Sequence, residues 1–460
     1  HNHEADAVRA MIVVGLLYGD ADMIRWGMQC LEALLENTVD RDGMYYETSL
    51  AYSLFTRGVF SDMAELLANY RPEKYEGLPG DFPPARNFFD HPKLRKLVAD
   101  NFDMNLLGRR VSFGNSHGDD LVIEKAPEFY SSNQWGLLAR VGRFTSDAAL
   151  RARVTRMLAA GVNTADSDPV GLRWWLLHNP APLPAKAGDT AQFNMFGNGR
   201  FFSTKAMGVF QFGDWPHKRA LLVRGGPNLP HSHDDNLGLN LYDLGRDLSA
   251  EIGYGTFGTP LHNGWANRAI SHCLVTIDGD AGQEGNEHYK KTPGATFRTF
   301  HNGDVVKYLD ADSSAQFPQY RLPVEKFRRR IAAVVVDNAR TYYVDLFDVK
   351  GGSVRDYSFH APDHDELLTG ALTLEGIRPE PVEGAWTLAG LDPEFRNASW
   401  NAPGRSWGER VGVGETIRPV DPPDTTGNYG STPPGRGYGF LYNLRGGETD
   451  QPWAATWKLR

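Results

Sequence analysis

Potential chemistry concentrates in the stretch from His231 to His272. The run His231-Ser232-His233-Asp234-Asp235-Asn236-Leu237 opens with two imidazoles at i and i+2. In a strand that spacing puts both rings on one face, and Leu237, Leu239 and Leu241 continue the alternation. A carboxylate, Glu251, and a third imidazole, His272, follow close by. Two imidazoles and one carboxylate are a common ligand set for a divalent transition metal, usually zinc. His233, Glu251 and His272 make such a set. His231 then sits beside the metal, available to handle protons. Asp234 and Asp235 are competing ligands, or partners that orient the rings. The plain alternative is a row of polar strand positions facing solvent, the common lot of a lone histidine.

Two other groups carry usable side chains. At the amino end, Asn2 lies beside His3 where a helix begins; an amide there can donate to a carboxylate, and an imidazole can accept a proton. The ordinary reading of Asn2 is a helix N-cap. Further on, Asp42-Gly43-Met44-Tyr45-Tyr46-Glu47 leads to Tyr52, little more than one helical turn beyond Glu47. The ordinary reading here is an aromatic-rich helix start packing on its neighbour. Arg224, His262, Trp265, Asn267 and Arg268 are candidates to line a binding cleft, Arg268 first among them. The run Lys326-Phe327-Arg328-Arg329-Arg330 reads as the solvated face of a strand.

The elements that must position these groups change period along the chain. Apolar residues recur at helical spacing over Glu4–Tyr18, Ala21–Glu36, Asp62–Tyr70, Pro92–Leu107, Gln134–Val141 and Asp147–Ala160. Gly19-Asp20 separates the first two, and Arg71–Asp90, rich in Pro and Gly, reads as a long loop. The alternating prolines of Asn179–Ala185 favour an extended linker. Beyond it, Ala206–Phe212, Arg219–Arg224, Leu237–Leu244, Arg330–Val336 and Thr341–Asp348 alternate or run β-branched and aromatic. Helices first and strands later predict a multidomain α+β protein, with a helical domain over 1–185 and an antiparallel β domain over 186–460.

Composition narrows the function classes. A chain of 460 residues with 41% hydrophobic and 23% charged residues is large enough for two cores. The net charge of −9 argues against general nucleic-acid binding, which needs a basic surface. It still permits an anionic substrate, because a local basic cleft can focus one inside an acidic protein. The two cysteines, Cys30 and Cys273, form no disulfide framework and no cysteine-based zinc site. No apolar run reaches the ~18 residues that span a bilayer, and no signal peptide is visible. Eleven Trp and 18 Tyr suit a sugar-binding cleft, although large cores also hold many aromatics.

Taken in order, these pieces resemble one family. Arg224-Gly-Gly-Pro227, His231-Ser-His233, Leu241-Tyr242, Gly245-Arg246, Glu251-Ile-Gly253, His272 and Ile277-Asp278-Gly279 look like the heparinase II/III-like polysaccharide lyases. So do Asn2-His3, Asp42-Gly-Met44 and Glu47-x-Ser49-x-x-Tyr52. The resemblance implies an incomplete α/α toroid followed by an antiparallel β-sandwich. It implies that Asn2 neutralises a substrate carboxylate with help from His3. Tyr52 would transfer the proton, and His231 would be a second base or a carboxylate binder. His233, Glu251 and His272 would hold a structural zinc; no organic cofactor is needed. Glu47, Arg224, Trp265 and Arg268 would contact substrate. The family more often has Asp where Glu251 stands and His where Ser53 stands, and Tyr254 is the nearest counterpart of a further tyrosine acid. A longer helical segment usually precedes the Asn-His pair, so the resemblance also implies segments beyond both ends of this chain. A secreted or periplasmic location follows from the same likeness.

The implied reaction is β-elimination in a uronic-acid polymer, with glycosaminoglycan as first expectation and alginate or ulvan next. Removing the proton alpha to the uronate carboxylate puts charge on that group, which donors such as Asn2 must meet. A base takes the proton and an acid protonates the departing oxygen. Three competitors remain at this stage. A glycoside hydrolase needs two paired carboxylates, and Asp6, Glu47 and Asp119 do not pair obviously. The others are a non-catalytic polysaccharide-binding protein and a zinc hydrolase that activates water.

Overall fold

The chain's computed structural model describes residues 2–47, 49–103, 107, 113–116, 137, 140–160, 199–214, 216–249, 267, 269–277, 293–317, 322–353, 355–360, 380–381 and 456–459. The chain divides into two compact units. One comprises His1–Glu47, Ala51–Arg109 and Lys125–Gly197; the other comprises Thr48–Leu50, Arg110–Glu124 and Asn198–Arg460.

The first unit is helical. Helices α1 (Asn2–Tyr18) and α2 (Ala21–Thr38) meet at Gly19-Asp20. Gly19 takes the left-handed backbone (φ 66°) that ends α1. The Asp20 carboxylate accepts from the amides of Asp22 and Met23 at 3.0 and 2.9 Å, capping α2. Gly27 lets the two helices approach, since a Cβ there would run into the Ile12 side chain. Helix α3 (Leu50–Ala68) starts well before the expected Asp62. Its buried face carries Ser53, Thr56, Arg57 and Ser61, and these polar residues conceal the helical period. Helix α4 (Pro92–Asp103) opens with proline at its first position. Asp147 caps α5 (Ala148–Ala160), accepting from the amides of Ala149 and Leu150 at 3.0 Å each. The expected loop Arg71–Asp90 contains two 3-10 turns, Pro72–Tyr75 and Phe88–Asp90. The second turn sends Phe88 and Phe89 into the core with Leu31, Leu35 and Phe60.

Among the described residues, the strands of the second unit form three antiparallel sheets. The first holds β1 (Gly199–Phe202), β2 (Met207–Phe212), β3 (Arg219–Arg224), β4 (Leu239–Asp243) and β5 (Arg246–Asp247) in that order. The second runs β10-β9-β8-β7, where β7 is Thr296–Asn302, β8 Val306–Asp312, β9 Val324–Val335 and β10 Thr341–Gly351. The third runs β12-β13-β11-β6, with β6 Val275–Ile277, β11 Arg355–His360, β12 Glu380–Pro381 and β13 Thr456–Leu459. One core joins them: Phe210, Leu221 and Leu239 from the first sheet, Leu309, Phe327 and Ile331 from the second, and Val275 and Ile277 from the third. Helices followed by antiparallel sheets is the α+β arrangement the sequence predicts.

The basic run of β9 departs from expectation. Arg328 pairs with Asp310, and Lys326 and Arg330 face Asp348, as suits an outer face. Arg329 points the other way and is fully buried. It reaches Asp345 on β10 at 2.6 Å, the carbonyls of Leu237 and Cys273 at 2.6 Å each, and the Tyr357 hydroxyl at 2.9 Å. Strand alternation explains both facts: consecutive residues must face opposite sides, so one of three successive arginines had to go inward. Burial works against its charge, but Asp345 and Tyr357 more than offset that and hold the guanidinium pKa above its ordinary value.

Candidate functional site

The two histidines at i and i+2 do not lie on a strand. His231 and Leu237 have positive φ (64° and 69°), which extended backbone excludes, and β4 begins only at Leu239. The segment is a loop made of turn-forming residues behind Pro230. Backbone bonds pin it at several points. Ser232 N–H donates to Leu229 O at 3.0 Å, Asp234 N–H to Asn267 O at 3.1 Å, and Leu237 N–H to Arg224 O at 2.6 Å. Arg224, buried at the end of β3, forms an ion pair with Asp235 inside the same loop.

The histidines are brought together by a residue the sequence reading passed over. Asn115 belongs to the short segment Phe113-Gly114-Asn115-Ser116, every residue of which is buried. Its Nδ2 lies 3.0 Å from His231 Nδ1, and its Oδ1 lies 2.9 Å from His233 Nε2. Its backbone N–H donates to His231 O at 2.9 Å. The Ser49 hydroxyl donates to Asn115 O at 2.7 Å and lies 3.0 Å from the Ser116 hydroxyl, fixing the segment from a further side. Gly114 is required here: its φ is 56°, and a Cβ would collide with the His231 carbonyl. The only sequence signal was a Gly-Asn-Ser turn signature, which does not reveal what the asparagine touches.

His272 completes the cluster. It follows the 3-10 turn Ala269–Ser271 and lies just before β6. Its ring centroid is 5.6 Å from that of His233, with 41° between the planes, and the two residues are only 1% and 2% exposed. Two imidazoles sharing one tetrahedral zinc, with Zn–N bonds of about 2.0–2.1 Å, stand at about this separation. The Asn115 carbonyl on the remote nitrogen of His233 is the kind of outer partner that orients a ligating ring. The described part of the site therefore fits a metal. Glu251, the third expected ligand, lies outside the described residues, as do Tyr254, Trp265, Arg268 and His262. Asn267 is half-buried, its carbonyl accepting from Asp234.

Among the described residues, a different group offers three metal-ligand atoms within 4.8 Å of one another: Glu32 and Glu36 on α2, and His91 just before α4. His91 Nε2 lies 3.3 Å from a carboxylate oxygen of each glutamate. Its Nδ1 accepts the Lys93 N–H at 3.2 Å, which places the proton of the neutral ring on Nε2. Arg86 also pairs with Glu32. In this arrangement His91 serves as a donor to two carboxylates; holding a metal would need the other tautomer.

The remaining candidates belong to helices or their approaches. Asn2 is the first residue of α1, and His3 follows it, exposed. Glu47 is fully buried and accepts from the Tyr46 hydroxyl at 3.2 Å. Burial first, and the Glu47 charge second, push the Tyr46 phenol up to about 12 and move Tyr45 in the same direction. Tyr52 lies in the first turn of α3, half-buried.

Residues 198–402 match the family described as heparinase II/III-like, C-terminal. That match agrees with the resemblance read from the motifs. No curated protein matches the sequence. Among solved structures, a heparinase III gene product is similar at a TM-score of 0.52 with 15% identity, covering 83% of this chain and 54% of its own. A crystal structure of heparinase III gives a TM-score of 0.51 with 16% identity, covering 79% and 49%. The heparan sulfate lyase HepC from Pedobacter heparinus gives 0.50 with 15% identity, covering 79% and 48%. The chain thus spans about half the length of the solved structures it matches, and the likeness establishes a shared fold.

Proposed function

We propose that this chain is the catalytic part of a polysaccharide lyase that cleaves a uronic-acid-containing polymer, a glycosaminoglycan first, by β-elimination. The observation that carries the reading is the convergence of His231, His233 and His272 within a heparinase II/III-like domain. His233 and His272 are buried and suited to holding an ion, whereas His231 is partly exposed and suited to meeting a ligand.

The reaction balances without an added reagent. A base takes the proton alpha to the uronate carboxylate, and that C–H electron pair becomes the new carbon–carbon double bond. The β carbon–oxygen bond breaks, and its pair goes to the departing glycosidic oxygen, which takes a proton from an acid. Tyr52 is the proton-transferring phenol in this reading, with Tyr254 as the alternative acid. Asn2, His3 and His231 meet the charge that builds on the carboxylate. Glu47, Arg224, Trp265 and Arg268 serve substrate placement; buried Glu47 and Arg224 act by holding neighbouring groups. A zinc held by His233, Glu251 and His272 would be structural, tying two loops together. The helical unit belongs to an α/α toroid and the strand unit to a β-sandwich, with substrate met in a secreted or periplasmic setting.

The test is incubation of the purified chain with a panel of uronate polysaccharides, following ultraviolet absorbance of the unsaturated uronate. A rise with one polymer is expected and identifies the substrate class. New reducing ends without that absorbance would overturn elimination in favour of hydrolysis.

A further inference from the structure

A carboxamide is asymmetric: its nitrogen only donates and its oxygen only accepts. Asn115 places the nitrogen on one histidine and the oxygen on the other. Nδ2–H donation to His231 Nδ1 requires a lone pair there, so the neutral ring carries its proton on Nε2. Acceptance by Oδ1 requires a proton on His233 Nε2, so that neutral ring carries its lone pair on Nδ1. Both rings thus take the Nε2–H tautomer, coupled through one side chain, and the nitrogens turned away from the amide are opposite in sense: a donor on His231 and a lone pair on His233. Turning the amide over would switch both rings together to Nδ1–H; no orientation satisfies one ring as Nε2–H and the other as Nδ1–H.

Several contacts hold this amide in place. The Asn115 N–H grips the His231 carbonyl, Ser49 grips the Asn115 carbonyl, and Gly114 allows the close approach. Burial of Asn115 and His233 raises the cost of a mismatched pair, because a buried donor facing a donor cannot turn to water instead.

We propose that Asn115 is a positioning residue that sets His231 and His233 in one coupled Nε2–H tautomer, so that His231 presents Nε2–H as a donor and His233 presents Nδ1 as a lone-pair ligand. Two consequences deepen the lyase reading and rest on it. His231 is a hydrogen-bond donor toward the substrate carboxylate and is not the base that removes the alpha proton; that step falls to a tyrosine. The lone pair His233 offers to a metal is the one on Nδ1, with Nε2–H held by Asn115.

The test is long-range proton–nitrogen NMR of the full chain with labelled histidine, with His231→Gln and His233→Gln used to assign the signals. The wild-type protein is expected to show His231 protonated on Nε2 and His233 protonated on Nε2. A His231 protonated on Nδ1 would overturn the proposal, and this needs no variant of Asn115. Asn115→Asp replaces the donor by a second acceptor; it should move the His231 proton to Nδ1 and leave His233 as it was. An unchanged His231 in that variant would likewise overturn it. With a polymer the chain cleaves, kcat for Asn115→Asp should fall about 100-fold or more, the size of a lost hydrogen-bond donor to developing charge, with KM less affected. The NMR result does not depend on turnover. Expected tautomers without elimination would sink the lyase reading alone, and elimination with the reversed tautomer would sink this inference alone.

Discussion

Replacing Arg329 by Met tests whether the buried guanidinium ties the histidine loops to the sheet. Four partners surround it: Asp345, Tyr357 and the carbonyls of Leu237 and Cys273. Leu237 closes the loop that carries His233, and Cys273 adjoins His272. Breaking a buried ion pair costs about 3–5 kcal/mol. Asp345 keeps a 22% exposed side chain and can regain water, so the lower end, about 3 kcal/mol, applies. Each carbonyl that loses its donor adds at least about 1 kcal/mol. The expected loss is about 5 kcal/mol, which lowers the melting temperature of the strand unit by roughly 10–15 °C for a body of this size. Calorimetry of the full chain should show this as one transition moving, because two units need not melt together. Arg329→Lys keeps the charge but cannot span all four acceptors, and should fall between. Arg329→Met combined with Asp345→Leu should recover part of the loss, since no buried carboxylate is then stranded. A drop under about 3 °C for Arg329→Met, or no recovery in the double variant, would refute the reasoning.

Other outcomes follow from the same geometry. Tyr52→Phe should abolish elimination while leaving the melting temperature within a few degrees; full activity in that variant would remove Tyr52 from the chemistry. His233→Ala should release bound zinc, measured by elemental analysis, and lower stability, and unchanged metal content would refute the ligand assignment. The Tyr46 phenol ionises at a higher pH in the folded chain than the ordinary value of 10. The native state therefore binds that proton more tightly, and the contribution is complete below about pH 10 and lost as pH rises to about 12. In a spectrophotometric titration, Tyr46→Phe should remove one phenolate step centred near pH 12; loss of a step centred near pH 10 would show that burial and Glu47 do not act on Tyr46.

The fold was legible where one local rule dominated. Gly19-Asp20 reads as the break between two helices and separates α1 from α2, and Arg219–Arg224 reads as a strand and forms β3 over that very span. Helix α3 was half hidden because Ser53, Thr56, Arg57 and Ser61 are buried, and a pattern search takes polar residues for surface. The arginine run of β9 was misread in part for the converse reason. Charge suggested solvent at all three positions, whereas the strand's period forced Arg329 inward, where the Asp345 carboxylate could receive it.

At the site, residue types were legible but the means of assembly were not. Strand alternation was the expected device for aligning His231 and His233. The chain instead uses a left-handed turn at His231 and a side chain 116 residues away in sequence. No periodicity connects Asn115 to the histidines; only the tertiary fold does. That difference changes the chemistry. Two rings aligned on a strand face would be free to choose their tautomers independently, and either could serve as base. Two rings bridged by one amide cannot, because satisfying one dictates the other. The division of labour between a ligand-meeting His231 and a loop-ordering His233 is therefore built by Asn115, and a histidine motif without its amide would not specify it.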